Sequence, residues 1–189
     1  MRPKITGRRI IFLVIGIAAF MAAYSVGSAI PLSDQDAKEL RKQFSDQIGG
    51  IDQTGIFINN ARIALGMFIP AAGTILGLFS GFETGSVFAA MAKSSPSLAN
   101  VPSILILVTP FGIMEVFAYG LAMSRSGMLV YRLAKDKPWI KGRGHTFLMG
   151  SIVPTLIEMG IVVAVLFAGA VVEWGFIQQL GGINASSLK

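Results

Sequence analysis

Long apolar runs separated by short polar segments dominate the pattern of this chain. The first run, from Ile10 to Ile30, contains no charged residue. As a helix it would be about 32 Å long, which matches the hydrocarbon core of a bilayer. The run is longer than the apolar core of a cleavable signal peptide, so a retained span is favoured over a signal sequence, although the small residues 27–29 are typical of a cleavage site. The pattern predicts a transmembrane helix over about 10–30.

The segment after this run is amphipathic. Ser33 and Asp36 have the spacing of a helix-capping box. Apolar residues then recur every three or four positions up to Ile48 among many charged ones, and Gly49 and Gly50 end the pattern. We predict an external amphipathic helix over 33–48. It either lies in the membrane interface, binds a partner, or covers the ends of the spans as a solvated cap.

The next apolar stretch, residues 56–92, is too long for a single span. We expect a helix over about 57–80 that is kinked at Pro70, followed by a thin span or re-entrant segment over 84–100. Four glycines recur here every four residues, which would place them on one helix face as a smooth surface for packing against another helix. They are Gly73, Gly77, Gly81 and Gly85.

Two further spans are predicted in the second half of the chain. One covers about 102–124 and is interrupted at Pro110 and Gly112. The other covers about 146–172 and is interrupted at Pro154. The chain is therefore expected to be an all-α, polytopic membrane bundle that forms a single domain.

The basic residues indicate the orientation of this bundle. Ten of the sixteen lie in two short segments, 1–9 and 125–145, and the positive-inside rule makes both cytoplasmic, the second as a basic loop. Residues 31–55 carry five acids and three bases and suit the outside. Five crossings follow, with the N-terminus cytoplasmic and the C-terminus external. Topology alone is favoured over phospholipid or nucleic-acid binding as the reason for this clustering.

Composition narrows the class of function. The chain is 53% apolar and 14% charged, with a mean hydropathy of +0.66, which indicates a membrane protein rather than a soluble domain. It has no cysteine, so disulfides, thiolate nucleophiles and Cys-based metal sites are excluded. Its one histidine, His145, leaves almost nothing for a His-based metal site. The sequence contains no phosphate-binding loop and no dinucleotide fingerprint. We expect no enzymatic activity, no cofactor and no metal.

Two acids lie inside the predicted spans. Glu115 and Glu158 each fall near the middle of a span, and hence at one depth. An ionised acid at the bilayer centre costs about 3 kcal/mol. The pair therefore indicates either a proton or cation relay, a polar substrate site, or hydrogen bonds that hold helices together. Arg62 lies near the end of its span and would extend its charge to the interface.

Two short motifs resemble the stage II sporulation protein M family. The first is Ile56-Phe57-Ile58-Asn59-Asn60-Ala61-Arg62, entered from the amphipathic helix, and the second is Thr109-Pro110-Phe111-Gly112-Ile113-Met114-Glu115, followed by Gly120. Gly81 to Gly85 take the place of the family's Asn-Gly turn region. The similarity covers roughly residues 34–172.

This resemblance implies an all-helical membrane protein of about five spans. Family members in sporulating bacteria act as membrane scaffolds for a peptidoglycan-remodelling complex. The chain departs from the family at Phe111, where histidine is usual, so a mechanism that needs that imidazole is not carried over. The positions that do carry over are Asn59, Asn60, Arg62, Pro110, Gly112 and Glu115.

Three functions can be ranked from these observations. The first is a non-enzymatic scaffold or accessory subunit, whose partners are other membrane proteins and the lipid bilayer and not nucleic acid. The second is a small transporter or channel that uses Glu115 and Glu158, since interrupted helices mark many transport sites. An enzyme that acts on a lipid is third.

Overall fold

The computed structural model describes residues 6–48, 52–94, 101–137, 142 and 144–179. These residues form helices and connecting turns and contain no strand, so the all-α prediction is confirmed for them. In chain order the helices are α1 (Gly7–Ala29), α2 (Asp34–Ile48), α3 (Gln53–Gly66), α4 (Ala72–Ser94), α5 (Ile104–Leu107), α6 (Pro110–Asp136) and α7 (Gly144–Gln179).

Three helices among the described residues are long and apolar enough to cross a bilayer. They are Gly7–Ala29, Ala72–Lys93 and Phe147–Phe176. The last of these segments has 30 residues and is about 45 Å long, which exceeds the hydrocarbon core by about 15 Å. Hydropathy and length therefore support a membrane location for the bundle.

Helices α1 and α4 are parallel and α6 is antiparallel to both. Along the α1–α4 contact, Gly81 lies against Phe20 and Gly85 lies one turn further on against Tyr24. Along the α1–α6 contact, Tyr119 packs on Phe20, with ring centroids 5.3 Å apart, while the later Tyr131 packs on the earlier Phe12 at 5.7 Å.

Helix α7 is antiparallel to α6. The late residue Arg132 of α6 donates to Ser151 near the start of α7, whereas Phe111 at the start of α6 contacts Phe176 near the end of α7. Helix α3 packs on α7 through an edge-to-face contact between Phe57 and Phe167. The directions thus alternate along the chain among α1, α3, α4, α6 and α7.

The prediction of a single kinked helix over 57–80 is wrong, because the chain reverses its direction at Pro70. Helix α3 ends at Gly66 and α4 starts at Ala72, and between them Ala71 has a left-handed backbone with φ of 66°. A separate segment was predicted over 84–100. Its described residues, 84–94, form the second half of α4.

Two other boundaries also differ from prediction. Helix α6 begins at Pro110, where Thr109 accepts the Gly112 N–H at 3.1 Å, and it continues to Asp136. Residues 125–136 were predicted as part of a loop but are helical, because α6 continues into the basic segment. Residues 138–141 and 143 of the predicted loop lie outside the described part.

Pro154 does not interrupt α7, which is continuous from Gly144 to Gln179. A proline removes one backbone donor, and side-chain hydroxyls commonly satisfy the carbonyls exposed in that turn. Here the Thr155 hydroxyl donates to the Ser151 carbonyl at 2.8 Å. The predicted interruption is therefore wrong.

Helix α2 is the predicted amphipathic helix, and its start is confirmed as a capping box. The Asp36 N–H donates to Ser33 Oγ at 3.1 Å, and the Ser33 N–H donates to Asp36 Oδ2 at 3.3 Å. Ala37 is buried against the bundle, and Lys93 at the end of α4 pairs with Asp34 at 2.8 Å. The hydrogen bond from Lys93 lowers the pKa of the Asp34 carboxyl. These contacts attach α2 to the end of α4 as a cap and leave its polar face exposed.

Candidate functional site

Three charged side chains from three helices meet inside the bundle; we call them the arginine–glutamate cluster. Glu158 of α7 accepts from Arg9 of α1 through both oxygens, each at 2.7 Å. It also accepts from Arg125 of α6, with Arg125 Nε at 2.8 Å from Oε2 and Nη2 bonded to Oε1. All three side chains are at most 13% exposed. Both guanidinium groups thus bind the same carboxylate in the bidentate geometry that favours Arg–carboxylate pairs.

The remaining donors of Arg9 extend this cluster onto α6. Arg9 Nη1 donates to Ser124 Oγ at 2.8 Å, and Nη2 donates to the Leu121 carbonyl at 3.1 Å. Ser124 in turn donates to the same carbonyl at 2.9 Å. The cluster therefore joins the first, the sixth and the last helix through charged and neutral hydrogen bonds.

A second polar group unites the two sequence motifs. Asn60 of α3 donates through Nδ2 to Glu115 Oε1 of α6. Glu173 of α7 is close enough for its carboxyl to interact electrostatically with that of Glu115, and both act on the hydroxyl of Tyr119. The two motifs, more than fifty positions apart in the chain, thus form one site between α3, α6 and α7.

The other polar residues of the first motif lie at the edge of this site. Asn59 donates to Asn60 Oδ1 at 3.4 Å, and Arg62 donates to Asn59 Oδ1 at 3.5 Å. Arg62 itself is exposed, as expected for a base that extends its charge out of an apolar region. These are long hydrogen bonds, so they orient the amides only weakly.

The expectation that Glu115 and Glu158 share one depth is wrong. Glu158 lies level with Arg125, to which it is bonded. Arg125 is ten residues further along α6 than Glu115, which corresponds to about 15 Å. On α7 the residue opposite Met114 is Gly169, eleven residues beyond Glu158. Two helix bounds explain this difference. Helix α6 begins only at Pro110, so Glu115 is its sixth residue and not the middle of a span. The apolar segment of α7 also exceeds one bilayer thickness, so its middle need not be the middle of the bundle.

Three of the four predicted packing glycines lie between helices. A Cβ at Gly77 would be 3.0 Å from the Met123 side chain of α6. A Cβ at Gly81 or Gly85 would meet the backbone carbonyl of Phe20 or Tyr24 in α1. Gly73, in contrast, lies against the Met67 backbone inside the α3–α4 turn, because the helix that was expected to carry it reverses there. The glycine surface therefore faces two different helices.

The reversal at Pro70 is held by a buried serine of α6. Ser126 Oγ donates to the Ile69 carbonyl at 2.7 Å and accepts the Thr74 N–H at 3.2 Å. It therefore binds a carbonyl before the turn and a donor at the start of α4. Both groups also have backbone partners, since the Gly73 N–H donates to the Ile69 carbonyl at 2.7 Å and the Thr74 N–H donates to the Ala71 carbonyl at 3.2 Å.

Sequence reasoning missed four of these residues. Arg9 and Arg125 were counted only as members of basic segments, and Ser126 fell in the same segment. Glu173 lies one position beyond the predicted span 146–172. An acid next to an apolar run was a detectable signal for Glu173, whereas the partners of Arg9 and Arg125 depend on how helices pack. Within the described residues, no group of three or more acids or histidines could hold a metal ion.

Comparison with known proteins identifies the family. The family model for stage II sporulation protein M matches residues 10–177. No curated protein and no solved structure matches the chain. The matched region includes Arg125, Glu158 and the whole Asn60–Glu115–Glu173 site, whereas Arg9 lies one residue before it. The hydrogen bond between Asn60 and Glu115 joins the two motifs on which the resemblance was based. The chain therefore belongs to the stage II sporulation protein M family.

Proposed function

We propose that this protein is a non-enzymatic membrane scaffold or an accessory subunit of a larger membrane assembly. The arginine–glutamate cluster is the observation that carries this proposal. A carboxylate bound by two guanidinium groups fixes α1, α6 and α7 relative to one another, because separating the groups would leave buried charges unpaired. Such a rigid bundle suits a protein whose role is to present fixed surfaces to neighbouring membrane proteins.

The proposal includes five crossings, with the N-terminus cytoplasmic and the C-terminus external. The alternating directions of α1, α3, α4, α6 and α7 support it. Arg8 lies over the Tyr131 ring at 5.4 Å, so the two basic segments meet at the same end of the bundle, which supports a common cytoplasmic side. Helix α3 has 14 residues and is about 21 Å long, so its crossing depends on the turn at Pro70 to reach the other face.

Co-purification from native membranes tests the scaffold function. We expect stable, stoichiometric partner proteins with the parent chain. Glu158→Gln leaves two buried guanidinium groups without a counter-charge, so we expect the partners to be reduced or lost. Ser25→Ala is the matched control, because Ser25 is exposed and bonds only within its own helix. A parent chain that purifies without partners and supports ion flux in vesicles would contradict the scaffold.

A small transporter or channel is the alternative, and the Asn60–Glu115–Glu173 site favours it. Two carboxyl groups in mutual electrostatic range, with an amide donor on one of them, can share a proton or a cation. Glu158, the other acid expected to take part, is bound by two arginines and suits this role poorly.

Substitutions at Glu115 separate these two functions. Under the scaffold proposal, Glu115→Gln keeps a hydrogen-bond acceptor for Asn60 and should preserve assembly, whereas Glu115→Leu should reduce it. Under the transport alternative, Glu115→Gln should assemble normally but abolish flux in vesicles, since an amide cannot ionise. Intact assembly in both variants together with lost flux would favour transport.

A further inference from the structure

The arginine–glutamate cluster carries more positive than negative charge. Two guanidinium groups share one carboxylate, and the described residues place no second acid in contact with them. Arg9 and Arg125 are 8% and 3% exposed, so water screens the excess charge poorly. A buried charge without compensation is strongly destabilising, and the cluster therefore favours an additional anion.

One nitrogen of the cluster has no acceptor among the described residues. Arg125 bonds to Glu158 through Nε and Nη2 and leaves Nη1 for another group. All three nitrogens of Arg9 already have acceptors. An added anion would thus find its donor on Arg125, at the centre of the excess charge.

The position of the cluster indicates which anion it binds. Arg9 is the third residue of α1, directly before the uncharged run that begins at Ile10, and its guanidinium reaches inward to Ser124, which packs against Gly16. The cluster therefore begins at the edge of the apolar part of α1, next to the level of lipid phosphate groups, and extends inward from it. Beside Glu158, the side chains of Ile157 and Ile161 are more than 40% exposed and offer an apolar surface to acyl chains.

Further bases surround the same end of the bundle. The guanidinium of Arg8 and the ammonium of Lys135 both lie over the ring of Tyr131, at 5.4 and 5.7 Å from its centroid. Arg132 lies 5.1 Å from the centroid of Phe147. Aromatic rings that hold cations at the membrane surface are typical of interfacial anchors.

We infer that the arginine–glutamate cluster and the bases around Tyr131 bind the phosphate group of an anionic phospholipid, with Arg125 as its deepest donor. This inference does not depend on whether the protein is a scaffold or a transporter. Soluble phosphate has the same chemistry, but the exposed apolar side chains beside Glu158 favour a phosphate that carries acyl chains.

Lipid titration of the full chain in neutral detergent tests the source of the phosphate. We expect phosphatidylglycerol to raise the thermal unfolding midpoint in a saturable manner and phosphatidylcholine to leave it unchanged. Inorganic phosphate at equal concentration should also have no effect. An equal rise with phosphatidylcholine, or with inorganic phosphate, would overturn the inference.

Variants of opposite sign test the cluster itself. Glu158→Gln increases the excess charge, so the rise with phosphatidylglycerol should be larger than in the parent. Arg125→Gln removes the excess and should abolish most of the rise. Arg62→Gln, which removes an exposed base on α3, is the matched control and should respond as the parent does. The same rise in all variants, or a smaller one in Glu158→Gln, would contradict the site.

Arg8→Gln covers the case in which the buried variants do not fold. Arg8 is exposed, so its loss should leave the fold intact. We expect about a fivefold weaker apparent affinity for phosphatidylglycerol, the effect of one base near an anionic surface. An unchanged affinity in Arg8→Gln would show that these bases do not contact the lipid.

Discussion

Ala71 has a backbone conformation that its side chain disfavours. Its φ of 66° lies in the left-handed region, which costs a residue with a Cβ about 1–2 kcal/mol and glycine almost nothing. Ala71→Gly should therefore raise the free energy of unfolding by about 0.5–1 kcal/mol, after the greater entropy of glycine in the unfolded chain is counted. The measurement is denaturant-induced unfolding in mixed micelles.

Ala72→Gly is the matched control for this change. Ala72 is exposed and begins α4, so glycine there loses helix propensity and relieves no strain. We expect the midpoint to fall or to stay unchanged. If the unfolding midpoint falls as much for Ala71→Gly as for Ala72→Gly, the turn does not hold Ala71 in the left-handed region.

The packing glycines differ in how closely another backbone approaches them. A methyl group at Gly85 would collide with the Tyr24 carbonyl, which cannot move without the whole of α1. A methyl at Gly77 would meet the flexible Met123 side chain at 3.0 Å. Gly85→Ala should thus cost about 1–3 kcal/mol, and Gly77→Ala clearly less. Equal losses in thermal stability would contradict the close contact between α1 and α4.

At the scale of helices, the α3–α4 reversal depends on a side chain from elsewhere in the chain. Ser126→Ala removes the donor to the Ile69 carbonyl and the acceptor of the Thr74 N–H. Both groups keep a backbone partner, so we expect only the loss of about 0.5–1.5 kcal/mol that a typical hydrogen bond contributes, together with faster amide exchange at the start of α4. Ser25→Ala should change neither quantity. Unchanged exchange in Ser126→Ala would mean that the turn is stable without this serine.

The sequence predicted the kinds of helices better than their ends. Apolar run length and the capping box located α1 and the start of α2, because both signals are local. The 57–80 helix was misjudged because a proline in an apolar run is equally compatible with a kink and with a reversal. Ser126, which is distant in sequence, contacts both sides of the observed reversal, and such a contact cannot be predicted from the local sequence.

For the whole molecule, the proposed topology makes a labelling prediction. The absence of cysteine allows single cysteines to be introduced at Ser33, Lys137 and Ser187. With an impermeant reagent in intact cells, we expect labelling at Ser33→Cys and Ser187→Cys and protection at Lys137→Cys. The proposed topology places the cap that begins at Ser33 and the C-terminus outside, and it places the basic end, where Lys137 ends α6, inside. Labelling of Lys137→Cys with protection of Ser33→Cys would invert the topology.

The candidate sites could be predicted only in part. Composition and position marked Glu115 and Glu158 as unusual, since acids are rare in apolar runs. The partner of each acid could not be predicted, because it depends on which helices are neighbours and in which direction they run. Glu158 was interpreted as part of a proton or cation relay, of a polar substrate site or of hydrogen bonds between helices, whereas Arg9, from α1, supplies a permanent positive charge.

The bond between Arg9 and Glu158 also has a consequence for biosynthesis. Arg9 is synthesised with α1, but Glu158 arrives only with α7, much later in the chain. Until then Arg9 and Arg125 have no carboxylate partner. The incomplete chain therefore carries two uncompensated positive charges, whereas in the complete chain Glu158 compensates one of them. A chain that stops before α7 thus retains two buried arginines without their carboxylate, and the cluster cannot form before α7 has entered the bundle.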